Sequence, residues 1–323
     1  MSLMLWISAG VGLFLAGMKC LSEHLSALMG RKLSTGLQRV TKTPASSVLT
    51  GAAFTALVQS SDATNSLVIE LIDRGRLELS RGAALIMGAN VGTTMTGQLL
   101  ALNLTDWGPL LILPGALLRI VGGKRAALDR AGGALCGLGM LFLGMELVET
   151  GLALPEATGW AQGVLRLLSR PAPMFFLSML LTAGLQSSSA FVGLMQTFAA
   201  AGTLPLDGAV WLIAGSALGT CSTELLIGAG ASAEGRRAAL FQLLFNCFGV
   251  AAALLMLRVI PIEGWLRALS PEQPARILAN LNTAFKALEL ALMAPFMTPL
   301  VRLARTLSPG REQNAPAVRL RRN

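Results

Sequence analysis

Long apolar runs separated by short polar loops dominate the chain, and they predict membrane-spanning helices. About 20 mostly apolar residues suffice for one α-helix to cross a bilayer. Runs of this kind occupy residues 3–22, 82–103, 107–121, 131–152, 207–229, 237–257 and 281–303. The run at 107–121 is short and contains Pro109 and Pro114, so it is the weakest of the set. The pattern predicts an all-α membrane protein.

Two further apolar stretches, at about 45–72 and 173–200, are each interrupted by the tripeptide Gln-Ser-Ser. Polar groups that face lipid are costly because the hydrocarbon region holds no water to bond them. We therefore expect two re-entrant hairpins. In each, one half-helix enters and another leaves on the same side, and protein shields the tip.

The two tripeptides belong to a longer repeat with a constant offset of 127 residues. Gln59-Ser60-Ser61 returns as Gln186-Ser187-Ser188. The same offset relates Thr55-Ala56 to Thr182-Ala183, Gly17-Met18 to Gly144-Met145, and Gly88-x-x-x-Gly92-Thr93-x-x-Thr96 to Gly215-x-x-x-Gly219-Thr220-x-x-Thr223. The repeated element is small and polar among apolar residues, which indicates one kind of site made twice.

Composition and charge agree with a membrane protein and add an orientation. Of all residues 53% are hydrophobic and only 13% charged, against about 25% charged in soluble domains. Eighteen of the 26 Lys and Arg lie in the loops 29–47, 73–81, 122–130 and 230–237 and in the tail from 302, and five lie in the opposite loops. The positive-inside rule then predicts an external N-terminus and a cytoplasmic C-terminus. This loop pattern, with few aromatics, does not favour nucleic acid as a partner.

This layout predicts a fold of two inverted repeats, each with three transmembrane helices and one re-entrant hairpin. An odd number of crossings turns the second copy upside down, as in many secondary transporters. The expected boundaries are 1–121 for the first repeat, 131–257 for the second, 258–304 for an amphipathic connector with one extra transmembrane helix, and 305–323 for a disordered basic tail. The predicted location is the inner membrane of a bacterium.

The tips carry the candidate chemistry. Serine hydroxyls and a glutamine amide both donate and accept hydrogen bonds without fixed charge. The N-terminus of a half-helix favours an anion, and free carbonyls at a half-helix C-terminus can coordinate sodium. The alternative is that Ser and Gln only hold helices together, at about 0.6–2 kcal/mol per contact.

The second repeated element favours close helix packing through Gly88 and Gly92 and through Gly215 and Gly219. It also places hydroxyls within reach of the tips. These are Thr93 and Thr94 in the first copy and Thr220 and Ser222 in the second. Asn90 has no counterpart, because Ala217 takes its place. Packing and ligand binding both remain open for these residues.

Asp62 directly follows the first tip, where the second copy has Ser189. A carboxylate near mid-membrane costs about 2.5–3.5 kcal/mol on insertion scales and is a candidate site by default. One hypothesis is that Asp62 helps to bind a coupling cation. The alternative is a salt bridge to Lys19 or Lys286.

The Thr-x-x-x-Gln-Ser-Ser-x-Ala pair, with Gly-Ala-Asn-Val-Gly-Thr-Thr at 88–94, resembles the sodium/phosphate cotransporter family, which includes the type II sodium-dependent phosphate transporters. The resemblance covers about 10–300 and implies a carrier whose two hairpins bind phosphate and sodium. The substrate and ion ligands that it implies are Gln59, Ser60, Ser61, Asn90, Thr93, Gln186, Ser187, Ser188, Ser189 and Thr220, and we add Asp62 and Thr94. The sodium candidates are Gln59, Ser60, Asp62, Gln186, Ser187 and Thr220.

The chain departs from the family pattern in two places that bear on function. Asp62 stands where the family has Ser, which leaves another oxyanion open as substrate. Segments that often read His-x-x-Phe-Asn in the family begin here with Gln242 and Asn282, and the second ends in Lys286.

The resulting expectation is a secondary transporter, not an enzyme, that couples sodium to inorganic phosphate by alternating access, with no cofactor besides the coupling ion. Import or export, the sodium stoichiometry, protons in place of sodium and the oligomeric state stay open. A lipid-pyrophosphate phosphatase is the main alternative. Such an enzyme needs a phosphate clamp and a base, but no arginine adjoins either tip and the single histidine, His24, is distant in sequence. A non-transporting sensor is a third possibility.

Overall fold

The computed structural model describes residues 3–29, 43–102, 104, 107–123, 125–155, 157–168, 170–260, 262–271 and 273–309. All regular elements in these ranges are helical, which confirms the all-α prediction. The first half contains α1 (Leu3–Met29), α2 (Pro44–Val58), α3 (Ser61–Asp73), α4 (Leu79–Gly92), α5 (Thr94–Leu100) and α6 (Gly108–Gly122). The second contains α7 (Ala126–Leu152), α8 (Ala157–Leu167), α9 (Pro171–Leu185), α10 (Ser188–Ala200), α11 (Ala209–Ala229) and α12 (Ala233–Leu257). Then follow α13 (Ile262–Leu269), α14 (Pro274–Met293), a 3₁₀ turn (Ala294–Phe296) and α15 (Met297–Leu307).

Several of these helices can span a bilayer. Within the described ranges, five helical segments are long and apolar enough, namely α1, α7, α11, α12 and the combined segment Pro274–Leu307. Shorter apolar helices are α2, α6 and α9. The chain is therefore a multi-pass membrane protein.

Some predicted boundaries differ from the structure. The run 82–103 forms two helices that meet at Thr93, where the Thr94 hydroxyl donates to the Val91 carbonyl oxygen at 2.8 Å. Such a side-chain bond competes with the regular backbone pattern. The stretch between the predicted runs 131–152 and 173–200 contains α8, and the tail expected from 305 begins after Leu307. Residues 310–323 of that tail lie outside the described residues.

Both predicted hairpins break at the Gln-Ser-Ser tripeptide. Gln59 and Gln186 adopt left-handed backbone conformations with φ of 60° and 51°, and no other non-glycine residue in the described part of the chain has a positive φ. The helices on either side have equivalent bounds, because adding 127 to those of α2 and α3 gives those of α9 and α10. The same sequence signal therefore produces the same local structure twice.

Glycines allow the second repeated element to pack directly on the first arm of each hairpin. A Cβ on Gly88 of α4 would collide with the carbonyl oxygen of Val48 in α2. A Cβ on Gly215 of α11 would collide in the same way with Phe175 in α9. The prediction that these glycines serve close packing is confirmed, and the hairpin arms are held on a rigid neighbour.

Helices α1 and α7, the first helices of the two halves, pack on each other through equivalent glycines. Gly10 faces Gly144, and Gly17 faces Gly137. The two helices therefore run antiparallel, since the position rises along α1 as it falls along α7. Gly137 and Gly144 are the counterparts of Gly10 and Gly17 at the offset of 127. Swapping the two halves therefore turns each of these two contacts into the other, as in a two-fold symmetric interface.

Three apolar clusters form the interior. One joins α3 and α4 to α12 and α15, the second joins α9, α10 and α11 to α14, and the third joins α1 and α7 to α10. The second arm of each hairpin, α3 or α10, therefore contributes to the interior of the bundle along much of its length.

Candidate functional site

Both hairpin tips line the same cavity, whose volume is about 490 Å³. The first tip contributes Gln59, Ser60 and Asp62, and the second contributes Gln186 and Ser187. Helix α1 forms a further wall with Leu15, Met18, Lys19, Ser22 and Glu23. Two tripeptides that are far apart in sequence thus line one cavity.

The cavity receives the N-termini of two helices. Helix α3 begins directly after Ser60, and α10 begins directly after Ser187. Each serine caps its helix by accepting a hydrogen bond at 3.2 Å, from the backbone N–H of Ala63 or Ala190. The other N–H groups of a first turn have no partner within the helix and favour an anion. The geometry therefore suits an oxyanion held between two helix ends.

The ammonium group of Lys19 adds a positive charge to this wall. It lies 3.9 Å from the carboxylate of Glu23, and both side chains are exposed. Exposed ion pairs of this length hold their partners weakly. An anion that enters the cavity can therefore compete for Lys19.

Asp62 makes the two tips chemically unequal. Its counterpart Ser189 forms a hydrogen bond of 3.2 Å with Ser187, which completes a neutral second tip. The Oδ1 atom of Asp62 is buried without a hydrogen-bond partner. The alternative salt bridges are absent from the described structure, because Lys19 contacts Glu23 and Lys286 contacts Glu289 at 2.8 Å.

The remaining candidates are not among the residues that line the cavity. Ser61 and Ser188 are the first residues of α3 and α10. The hydroxyls of Thr94 and Thr220 bond back to their own helices, to Val91 and Ser216. Thr93 Oγ1, in contrast, is buried without a partner.

Asn90 belongs to a buried polar network in another part of the bundle. Its amide exchanges hydrogen bonds with Gln242 at 3.0 and 3.3 Å. Lys286 donates to Asn90 at 3.5 Å and to Asn246 at 3.2 Å. Gln242 and Lys286 occupy the two segments in which the chain departs from the family pattern, and these departures meet in one network.

One contact close to the first tip is not marked by any pattern in the sequence. Asn65 of α3 donates a hydrogen bond to Glu224 of α11 at 2.9 Å, and both side chains are fully buried. Glu224 stood out in sequence only as an acidic residue in an apolar run. Its partner could not be found, because the two residues are 159 positions apart.

The comparisons with known proteins agree with the doubled motif. The family described as Na+/Pi-cotransporter matches the chain in two segments, residues 13–150 and 152–292. Together these segments cover most of the chain and confirm the resemblance inferred from the tripeptides. No solved structure matches the chain.

Three curated relatives illustrate the proteins to which the chain is similar. "Uncharacterized protein YqeW" of Bacillus subtilis is 28% identical over 96% of this chain and 100% of its own length. "Putative inorganic phosphate export protein YjbB" of Escherichia coli K12 is 27% identical over 94% of the chain, which spans 55% of that relative. "Sodium-dependent phosphate transport protein 2A" of sheep is 32% identical over 28% of the chain and 14% of its own length.

Proposed function

Because the chain belongs to the Na+/Pi-cotransporter family, we propose that it carries inorganic phosphate across a membrane through the cavity between its two tips. The observation that carries this proposal is that both Gln-Ser-Ser tips line one cavity. The names of two relatives, one a phosphate export protein and one a phosphate transport protein, support the same substrate.

In this proposal phosphate binds nearer to the second tip. Gln186 and Ser187 supply an amide and a hydroxyl there, and no carboxylate follows them in sequence. The N-terminus of α10 and the ammonium of Lys19 add positive electrostatic potential there. The residues of the second tip themselves carry no charge. Asp62 repels an anion and keeps it away from the first tip.

Sodium, the proposed coupling ion, binds nearer to the first tip. Asp62 Oδ1 and Gln59 Oε1 are buried oxygens without hydrogen-bond partners, and hard cations prefer such oxygens. A sodium ion beside Asp62 would remove the repulsion between this carboxylate and the bound phosphate. Phosphate would then bind tightly only when the cation is also bound. This difference in phosphate affinity would couple the movement of the two ions.

We further propose that the two halves are inverted repeats that exchange conformations about the cavity. The antiparallel contact of α1 with α7 through equivalent glycines supports inversion. The equal bounds of the two hairpins support a common local structure. Exchange of the two conformations would open the cavity first to one side of the membrane and then to the other, which is alternating access.

The cavity favours transport over phosphate hydrolysis. No arginine or histidine is present among the described residues that line it, whereas cleavage of a phosphate ester needs a cationic clamp and a base or nucleophile. Under this proposal the ion gradients set the direction of net flux.

The test is transport of radiolabelled phosphate in proteoliposomes made with a sodium gradient. Gln186→Ala removes one tip amide, and we expect the initial rate to fall at least about tenfold through loss of hydrogen bonds to a charged ligand. Gln162→Ala is the matched control, since Gln162 is exposed on α8, and it should transport like the wild type. Wild-type rates in Gln186→Ala would remove the tip from the mechanism.

A further inference from the structure

The contact between Asn65 and Glu224 joins the two halves of the molecule inside the membrane. Asn65 lies on α3, the second arm of the first hairpin, and Glu224 lies on α11 of the second half. Both side chains are 0% exposed. A carboxylate at such a place normally has a partner that neutralises its charge.

A second carboxylate lies next to this contact. Asp62 precedes Asn65 by three residues, so the two share one face of α3. Asp62 therefore lies within one helical turn of the residue that contacts Glu224. Three buried oxygens of the group have no hydrogen-bond partner, namely Asp62 Oδ1, Asn65 Oδ1 and Glu224 Oε2.

The positive charges of the surrounding bundle do not satisfy these carboxylates. The ammonium of Lys286 is paired with the carboxylate of Glu289 at 2.8 Å. Among the described residues, neither Asp62 nor Glu224 forms an ion pair, since Lys286 pairs with Glu289 and Lys19 with Glu23. At least one further positive charge is needed for the ionised form to be stable in a membrane.

We propose that Asp62, Asn65 and Glu224 form a buried sodium site that bridges α3 and α11. The free oxygens are carboxylate and amide oxygens, which are ligands for hard cations. The coupling role of this site rests on the proposed function. Binding of sodium to the site does not require phosphate. A monovalent ion suits a carrier that must release its cation in every cycle.

The position of the site explains how the cation is coupled to movement of the halves. Asp62 also lines the tip cavity, whereas Glu224 belongs to the opposite half. Sodium that enters from the cavity can bind all three residues only when α3 and α11 are adjacent. Binding therefore stabilises one arrangement of the halves, and separation of the helices releases the ion.

The first test is saturation binding of radioactive sodium to the purified protein in detergent, without phosphate, with choline chloride holding the ionic strength constant. Glu224→Gln keeps an acceptor for Asn65 but removes the charge. Glu224→Gln and Asp62→Asn should each lose one bound sodium per chain or weaken it at least about tenfold. Glu70→Gln is the matched control on α3, because Glu70 is exposed and pairs with Arg74, and it should bind like the wild type.

A second measurement needs no variant. A hydrophobic carbodiimide modifies buried protonated carboxyl groups, and mass spectrometry of peptides reports the modification of Glu224. We expect sodium to slow this modification, and potassium at the same concentration not to slow it. Equal rates in the two salts, unchanged sodium binding in both charge-removing variants, or displacement of sodium by equimolar calcium would each overturn the inference.

The outcomes separate this inference from the transport proposal. Wild-type protein that accumulates phosphate but binds no sodium would overturn the sodium site and the sodium coupling, and would leave phosphate transport standing. Protein that binds sodium with the predicted dependence on Glu224 but never accumulates phosphate would overturn the transport proposal alone.

Discussion

At the scale of single residues, the backbone of Gln59 and Gln186 is the least expected feature. A left-handed conformation costs a residue with a side chain about 1–2 kcal/mol, and glycine would avoid this cost. The chain nevertheless has glutamine at both positions. We infer that the two amides are retained for what they bind, because the local fold alone favours glycine.

This inference predicts a separation of stability from transport at position 186. Gln186→Gly and Gln186→Ala both remove the amide, so both should lose phosphate transport. Only the glycine variant relieves the backbone strain, and it should be the more stable of the two by about 1 kcal/mol. Thermal unfolding in detergent measures the difference, and an alanine variant as stable as the glycine variant would contradict the strain.

At the scale of helices, close backbone contacts hold the arms of the hairpins in place. Gly88 and Gly215 occupy equivalent positions and each packs against a carbonyl oxygen of the first arm. These contacts leave no room for a methyl group. The first arm of each hairpin is therefore fixed against a neighbouring helix by direct backbone contact.

The packing predicts that Gly88→Ala destabilises the protein. The added Cβ forces α4 away from α2, and overpacking of this kind costs about 1–3 kcal/mol. Gly12→Ala on α1 is the control, because a Cβ at Gly12 meets open space and alanine favours a helix over glycine. Unfolding temperatures of the two variants provide the test. A Gly88→Ala variant as stable as Gly12→Ala would show that the helices do not approach as described.

Sequence patterns predict local elements better than they predict partners. The breaks at Gln59 and Gln186 follow from a polar tripeptide inside an apolar run, and the pairing of Gly88 with the hairpin arm follows from small-residue spacing. The division at Thr93 was missed, because helical backbone angles continue through it. The contact of Asn65 with Glu224 could not be predicted, since neither residue has an equivalent in the other half that would mark it.

At the scale of the whole molecule, a nearly symmetric framework carries an asymmetric site. The two hairpins have the same bounds and converge on one cavity, yet Asp62 and its counterpart Ser189 differ in charge. In the proposed mechanism, the symmetry would allow the halves to exchange conformations. The asymmetry would allow the cavity to hold a cation near one tip and an anion near the other, as a cotransporter requires.

Equilibrium binding of phosphate to the purified protein in sodium buffer tests most directly whether two tips form one substrate site. Ser187→Ala removes a hydroxyl beside the proposed phosphate position, and Ser60→Ala removes a candidate ligand of the sodium ion on which phosphate binding depends. Each variant should therefore weaken phosphate binding at least about tenfold. Ser8→Ala, an exposed serine on α1, should bind phosphate like the wild type. Wild-type affinity in either tip variant would contradict the shared site.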